Sequence, residues 1–419
     1  MNLKIRIAFL QFLQYYIWGA WMMTIAAWWF QTKGWSGVHF GAIFSTMGIA
    51  SLFMPTIAGI IADRWVNAEK LYAIFHICGA IMLFTVPFCT DPLIVFWVML
   101  LNMCFYMPTI SLSVTISYSI MEDAGMDIVK EYPPIRVWGT IGFIVAMWTV
   151  SLSHLETSQL MFVIAGISAL ILGIYSFTMP KVCPKGESNG SFISMMGLDA
   201  FKLFKNYKMF IFFFFSMLLG GALQLTNAYG DTFLHSFAGA AQFKDCIAVK
   251  YPAIIMSISQ MSETFMILLV PFFLRRFGIK KVMMLSMFAW VLRFGLFGFG
   301  DPSGGLWMII LSCIIYGMAF DFFNISGQLF TELNAPASIR ASAQGVFMFM
   351  TNGVGAVLGS LLSGWAISAF FTNLDGSIHW SGWGGVWVSF AAYALIVGIL
   401  FTILFRYKHD PSEMVKIKH

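Results

Sequence analysis

Apolar stretches of about 20 residues recur from one end of this chain to the other, each closed by a short polar or glycine-rich turn, and nothing else in the sequence constrains the fold as strongly. Twelve stretches are long enough to cross a bilayer as helices, at roughly 7–30, 38–62, 70–88, 92–118, 132–153, 158–179, 208–230, 251–274, 281–300, 305–331, 340–371 and 383–405. Backbone amides and carbonyls find no water in hydrocarbon, and a helix satisfies them within one segment. An all-α membrane protein with twelve transmembrane helices is therefore expected. Composition excludes the soluble classes. Of 419 residues, 59% are hydrophobic and 10% charged, against about 25% charged in an ordinary globular domain. A soluble enzyme and a disordered scaffold are ruled out on that ground. Nucleic acid is not an expected partner, because the net charge of +5 comes from short basic clusters between apolar runs.

The same clusters orient the chain. An even number of spans puts both termini on one side. The segments on that side hold 19 of the 24 Lys and Arg residues, while the opposite segments hold Lys33, Lys244 and Lys250, and Arg136 and Arg293 fall within spans. The positive-inside rule then places both termini in the cytoplasm. Lys4 and Arg6 precede a stretch that lacks a small-residue cleavage site, so it reads as the first spanning helix rather than a leader. The longest inner connection suggests three parts: residues 1–180 as a six-helix bundle, 181–207 as a linker and 208–419 as a second bundle. Leu198 to Tyr207 alternates apolar Leu198, Phe201, Leu203 and Phe204 with Asp199, Lys202 and Lys205, which suits a short helix in the headgroup region. The six cysteines contain no Cys-x-x-Cys pair and no histidines at ligand spacing, so neither a disulfide framework nor a metal or other cofactor is expected.

Polar residues inside spans carry the functional signal, because each is costly in lipid unless it has a partner or a role. Glu263 falls near the middle of the eighth span, and Gln260 lies three positions earlier on the same helix face. Gln224 and Asn227 repeat that spacing in the seventh span. In the fifth, Arg136, Thr140 and Phe143 follow i, i+4, i+7; in the tenth, Tyr316 and Phe320 follow i, i+4, with Asp321 and Asn324 on an adjacent stripe. Four polar or aromatic faces suggest a wet central cavity between the two bundles. Amides and carboxylates suit vicinal hydroxyls, and aromatic faces suit a flat heterocycle. A nucleoside fits both; a sugar would use the same polar groups. Glu263 is the first candidate for a coupled proton and Asp321 the second. Read individually, each amide or threonine could equally be an ordinary interhelical hydrogen bond, Arg293 a structural residue, and Tyr316 and Phe320 plain core.

Two further features are more specific. Gly59-Ile60-Ile61-Ala62-Asp63-Arg64 follows the second span, and Arg275-Arg276-Phe277-Gly278-Ile279-Lys280-Lys281 follows the eighth. Basic turns at matching places are what a parallel repeat of two six-span halves would give, and the first resembles the Gly-x-x-x-Asp-Arg signature of the major facilitator superfamily. Longer strings then resemble the bacterial nucleoside:proton symporter family of that superfamily. They include Pro133-Pro134-Ile135-Arg136-Val137-Trp138-Gly139-Thr140-Ile141-Gly142-Phe143, Leu223-Gln224-Leu225-Thr226-Asn227, Ser257-Ile258-Ser259-Gln260-Met261-Ser262-Glu263 and Tyr316-Gly317-Met318-Ala319-Phe320-Asp321-Phe322-Phe323-Asn324.

The resemblance runs from the first span to the last. It implies a 6+6 architecture, bacterial inner-membrane localisation and import of nucleosides with protons by alternating access. It also implies that the substrate-binding residues fall on Arg136, Thr140, Phe143, Gln224, Asn227, Gln260, Glu263, Tyr316 and Phe320. The expected partners are nucleosides, protons and the lipid bilayer, and the expected state is a monomer. The main alternative is a sugar:proton symporter of the same superfamily. A membrane-embedded transferase, the alternative from another class, would need an acidic metal motif that the spans and loops lack, so no enzyme activity is expected.

Overall fold

The computed structural model describes residues 3–184, 198–336, 339–371 and 380–407, with the backbone alone at 128–130, 133, 198, 199, 340, 341 and 380. Among the described residues every regular element is helical. The chain forms two compact units, Met1–Asn189 and Gly190–His419.

The first unit holds α1 (Leu3–Gly19), α2 (Gly37–Arg64), α3 (Ala68–Thr85), α4 (Pro92–Asp123), α5 (Ile128–Leu152) and α6 (Leu160–Ser176). The second holds α7 (Tyr207–Ser236), α8 (Pro252–Phe277), α9 (Ile279–Phe299), α10 (Leu306–Asn334), α11 and α12 (Trp383–Leu404). Helix α11 runs through Arg340–Met348, a π-helical stretch Phe349–Gly355, and Ala356–Phe370. Ten of the twelve are long and apolar enough to cross a membrane by themselves; α1 and α6, at 17 residues each, are shorter.

The helix starts follow local chemistry. Asp91 caps α4, its Oδ1 accepting from the Leu93 amide at 2.6 Å, with Pro92 in the first turn where its missing N–H is not needed. Asn206 caps α7 through the Lys208 amide at 2.9 Å. Helix α8 stops at Gly278, whose φ of 78° favours glycine.

Two segments depart from the spans read in the sequence, and the short helix expected at the end of the linker is present. The first span is not one helix: α1 ends at Gly19, residues 20–24 form a turn, and Ile25–Ala27 leads into a π-helical stretch Trp28–Thr32. The Thr24 hydroxyl donates at 3.4 Å to the Trp21 carbonyl, which also accepts from the Ile25 amide at 2.9 Å, so the helical ladder resumes there. Helix α7 runs past the expected end at 230 to Ser236, and Asp231 and His235 in the added stretch face each other one turn apart at 3.1 Å and are buried. The segment Leu198–Lys205 is a 3₁₀ helix whose Phe201 stacks on Phe204 and meets Phe349 edge-on at 5.5 Å. Residues 185–197 of the expected linker lie outside the described residues. Val182, just before them, is held by Glu69, whose Oε2 accepts its amide at 2.8 Å.

Both units use the same device to bring their first and fifth helices together. A Cβ at Gly142 on α5 would sit 2.1 Å from the Phe12 carbonyl oxygen on α1, and a Cβ at Gly220 on α7 would sit 2.0 Å from the Thr351 carbonyl oxygen on α11. Backbones meet there directly, as in many membrane helix pairs.

Candidate substrate site

In the first unit the expected site face lies on α5. The Arg136 guanidinium carbon stands 4.1 Å from the centre of the Tyr15 ring on α1, a cation–π arrangement, and the side chain is half-buried. Thr140 is half-buried one turn on, and Phe143 is buried with its ring edge-on to Trp18 at 6.3 Å.

Behind this face lies a network that sequence reasoning missed. Gln14 donates from Nε2 to the Thr109 hydroxyl at 2.9 Å, while its Oε1 accepts from the Tyr72 hydroxyl at 2.5 Å and lies 2.9 Å from His76 Nε2. Tyr106 adds a bond to the Gln14 carbonyl oxygen at 2.7 Å and packs on Trp18 at 5.7 Å. Since the Oε1 can only accept, His76 carries its proton on Nε2. The network ties α1, α3 and α4 together under Trp18 and Phe143.

The second unit holds the rest. Gln224 and Asn227 on α7 and Gln260 on α8 are buried, and Glu263 is half-buried. Tyr316 and Phe320 on α10 stack at 6.0 Å with planes 12° apart, and Trp290 on α9 meets Tyr316 edge-on at 6.0 Å. Glu263, Tyr316 and Asp321 lie within electrostatic range of one another. The three helices converge, because Thr226, Ser259 and Ser312 all bond to Arg293 on α9. Thr226 lies between Gln224 and Asn227, and Ser259 precedes Gln260.

The contrast between Gln14 and the amides of the second unit is chemical. Gln14 has its side-chain oxygen and nitrogen both bonded within the protein, whereas Gln224 Oε1, Gln260 Oε1 and Asp321 Oδ2 are buried without a hydrogen-bond partner among the described residues. Buried acceptors of this kind are rare in a finished core; Gln11 Oε1 shares the condition elsewhere, while those of Gln224, Gln260 and Asp321 fall on the expected site faces. A small cleft of about 30 Å³, room for about two waters, opens beside Phe320, lined also by Trp290, Asn324, Thr351 and Asn352. The last two stand in the π-helical stretch of α11, a conformation frequent at functional sites. Hydropathy gave no sign of Thr351 or Asn352, since a change of hydrogen-bond register leaves no periodic mark.

Outside the spans, the turn between α9 and α10 is organised by Asp301. Its carboxylate accepts from the Ser303 amide at 2.8 Å, the Ser303 hydroxyl at 2.6 Å and the Gly305 amide at 3.0 Å. Partial burial pushes its pKa up, but these bonds outweigh it and hold the group below the usual carboxylate range.

Residues 1–410 match the nucleoside H⁺ symporter family. The chain belongs to that family. A curated relative in this symporter family, the xanthosine permease of Escherichia coli K12, is 51% identical over 422 residues, covering 100% of this chain and 99% of the relative. Nucleoside permease NupG of the same organism is 49% identical over 411 residues, covering 98% and 97%. A crystal structure of a mutant form of nucleoside transporter NupG superposes with a TM-score of 0.94 at 48% identity, covering 97% of this chain and 100% of that one. A bacterial homologue of the lysosomal transporter Spinster, at 13% identity and a TM-score of 0.70, shares the fold alone. The chain is thus a multi-pass membrane transporter with the major facilitator architecture, and its relatives are permeases rather than enzymes.

Proposed function

We propose that this symporter imports nucleosides together with protons by alternating access. The substrate is held by the Arg136, Thr140 and Phe143 face of the first unit and by Gln224, Asn227, Gln260, Glu263, Tyr316 and Phe320 of the second. In this reading the amides bond to ribose hydroxyls and base edges, and Phe143, Tyr316 and Phe320 pack on the rings. Glu263 carries the coupled proton and Asp321 assists it. The transporter works as a monomer in the bacterial inner membrane with both termini in the cytoplasm.

One observation carries the reading: Gln224 and Gln260 keep buried, unbonded acceptors on the helix group that bears the Tyr316–Phe320 stack. Such acceptors want a donor-bearing ligand, and the stack wants a flat one. No Lys or Arg cluster accompanies them, so a neutral nucleoside suits the site better than a nucleotide.

Uptake of radiolabelled uridine, adenosine, xanthosine and a hexose by cells lacking their own nucleoside carriers tests this. At least one nucleoside is expected to accumulate, and the hexose is not. Accumulation of the hexose alone contradicts the reading.

A further inference from the structure

Arg293 is fully buried in the middle of the second unit, and the reading above gives it no work. A guanidinium cannot shed its charge to become neutral, and burial of a permanent cation in a spanning helix is costly. Among the described residues it forms no ion pair. Its bonds instead radiate to three other helices. Nη1 donates to the Ser312 carbonyl on α10 at 2.6 Å, Nε to the Thr226 hydroxyl on α7 at 3.4 Å, and Nη2 to the Ser259 hydroxyl on α8 at 3.4 Å. Ser312 completes a clasp by donating from its hydroxyl to the Arg293 carbonyl at 2.9 Å. Two rings flank the cation: Tyr316 at 4.6 Å and Phe297 at 5.1 Å.

The partners share one property. Thr226 is flanked by Gln224 and Asn227, Ser259 adjoins Gln260, and Tyr316 is itself a proposed substrate contact. A planar five-donor fork can hold three helices at fixed angles, which an ammonium at the same place cannot do. We propose that Arg293 is a positioning residue for transport: it fixes the register of α7, α8 and α10, so that their amides and the Tyr316 ring are set before substrate arrives. This rests on the nucleoside reading for its substrate. The hub itself rests only on geometry inside the second unit.

The test compares uridine transport kinetics, per folded molecule, for the wild type, Arg293→Lys and Arg293→Met in proteoliposomes. Loss of preorganisation weakens binding before it slows turnover. Arg293→Met is expected to raise KM about tenfold or more, the scale of one or two lost charge-assisted bonds, with a smaller change in kcat. Arg293→Lys, keeping the charge and the Ser312 bond alone, should fall between. A merely structural role would lower the yield of folded protein and leave KM unmoved, and an unchanged KM in folded Arg293→Met overturns the proposal. If Arg293→Met does not fold, Thr226→Val and Ser259→Ala each remove one arm of the fork. Each should raise KM a few-fold, and wild-type KM in both overturns it. If the wild type carries no nucleoside, the functional reading fails on its own. Amide hydrogen exchange then decides the hub: faster exchange around Thr226, Ser259 and Ser312 in the variants supports it, and unchanged exchange refutes it.

Discussion

Two glutamines at the same kind of depth in the protein differ in their hydrogen bonds, and that difference predicts different roles. Gln14 serves Thr109, Tyr72 and His76 at once; Gln260 leaves its oxygen unbonded. Truncating Gln14 to Ala strands several buried polar groups and is expected to destabilise the protein by about 2 kcal/mol or more, read as a lower melting temperature in detergent. Gln260→Ala strands no protein donor at its side-chain oxygen, so the melting temperature should hardly change. Nucleoside binding should instead weaken by about 1–3 kcal/mol, because the ligand loses its partner. Equilibrium binding of uridine checks this, and an unchanged Kd would remove Gln260 from the site. The sequence could not separate the two residues. Both are amides within apolar runs, and the partners that satisfy Gln14 lie 58 to 95 residues away along the chain. The spacing of Gln260 with Glu263, and of Gln224 with Asn227, did point to polar faces, because i, i+3 positions share a helix side whatever they touch.

At the scale of elements, the glycine contacts are the parts with least tolerance. Ala at Gly142 or at Gly220 must push two backbones apart, and each is expected to cost about 1–3 kcal/mol, whereas Ala at Gly59, whose Cβ would meet nothing within 4 Å, should cost nothing measurable. Thermal unfolding of the three variants distinguishes them. The α9–α10 turn gives a pH-dependent case. The Asp301 pKa is lower in the folded protein than in the unfolded chain, so its stabilisation is full above the unfolded value of about 3.9 and is lost as pH falls through the folded value. Asp301→Ala should therefore melt below the wild type at neutral pH and approach it on acidification below about pH 4. A gap that stays constant with pH would contradict this. Helix existence was legible from hydropathy alone, because a run of some 20 apolar residues has few other options in lipid. Breaks inside helices were not. The turn at 20–24 and the π-helical stretch Phe349–Gly355 change hydrogen-bond register without changing hydropathy. Asp231 and His235 lie beyond the span expected to end at 230, yet both are buried inside the helix and pair at 3.1 Å.

Across the whole molecule, two units with the same internal plan fit a carrier whose halves evolved as a repeat. The family match spans nearly the entire chain, so the transporter fold and class do not hang on any one residue. Direction and coupling do depend on particular groups. A carrier that links a proton to a nucleoside needs a carboxyl whose proton affinity changes as the site opens to one side and then the other. Glu263 has the position for that, half-buried beside Tyr316 and Asp321 on the α8–α10 face. Replacing it with Gln keeps its shape and hydrogen-bonding reach but fixes it as permanently neutral. The decisive measurement is uridine movement into proteoliposomes with an imposed inward proton gradient, wild type against Glu263→Gln. The wild type should concentrate uridine and lose that ability when a protonophore collapses the gradient, while Glu263→Gln should still exchange uridine but never concentrate it. Equal, protonophore-sensitive accumulation by both proteins would contradict the coupling assigned to this carboxyl.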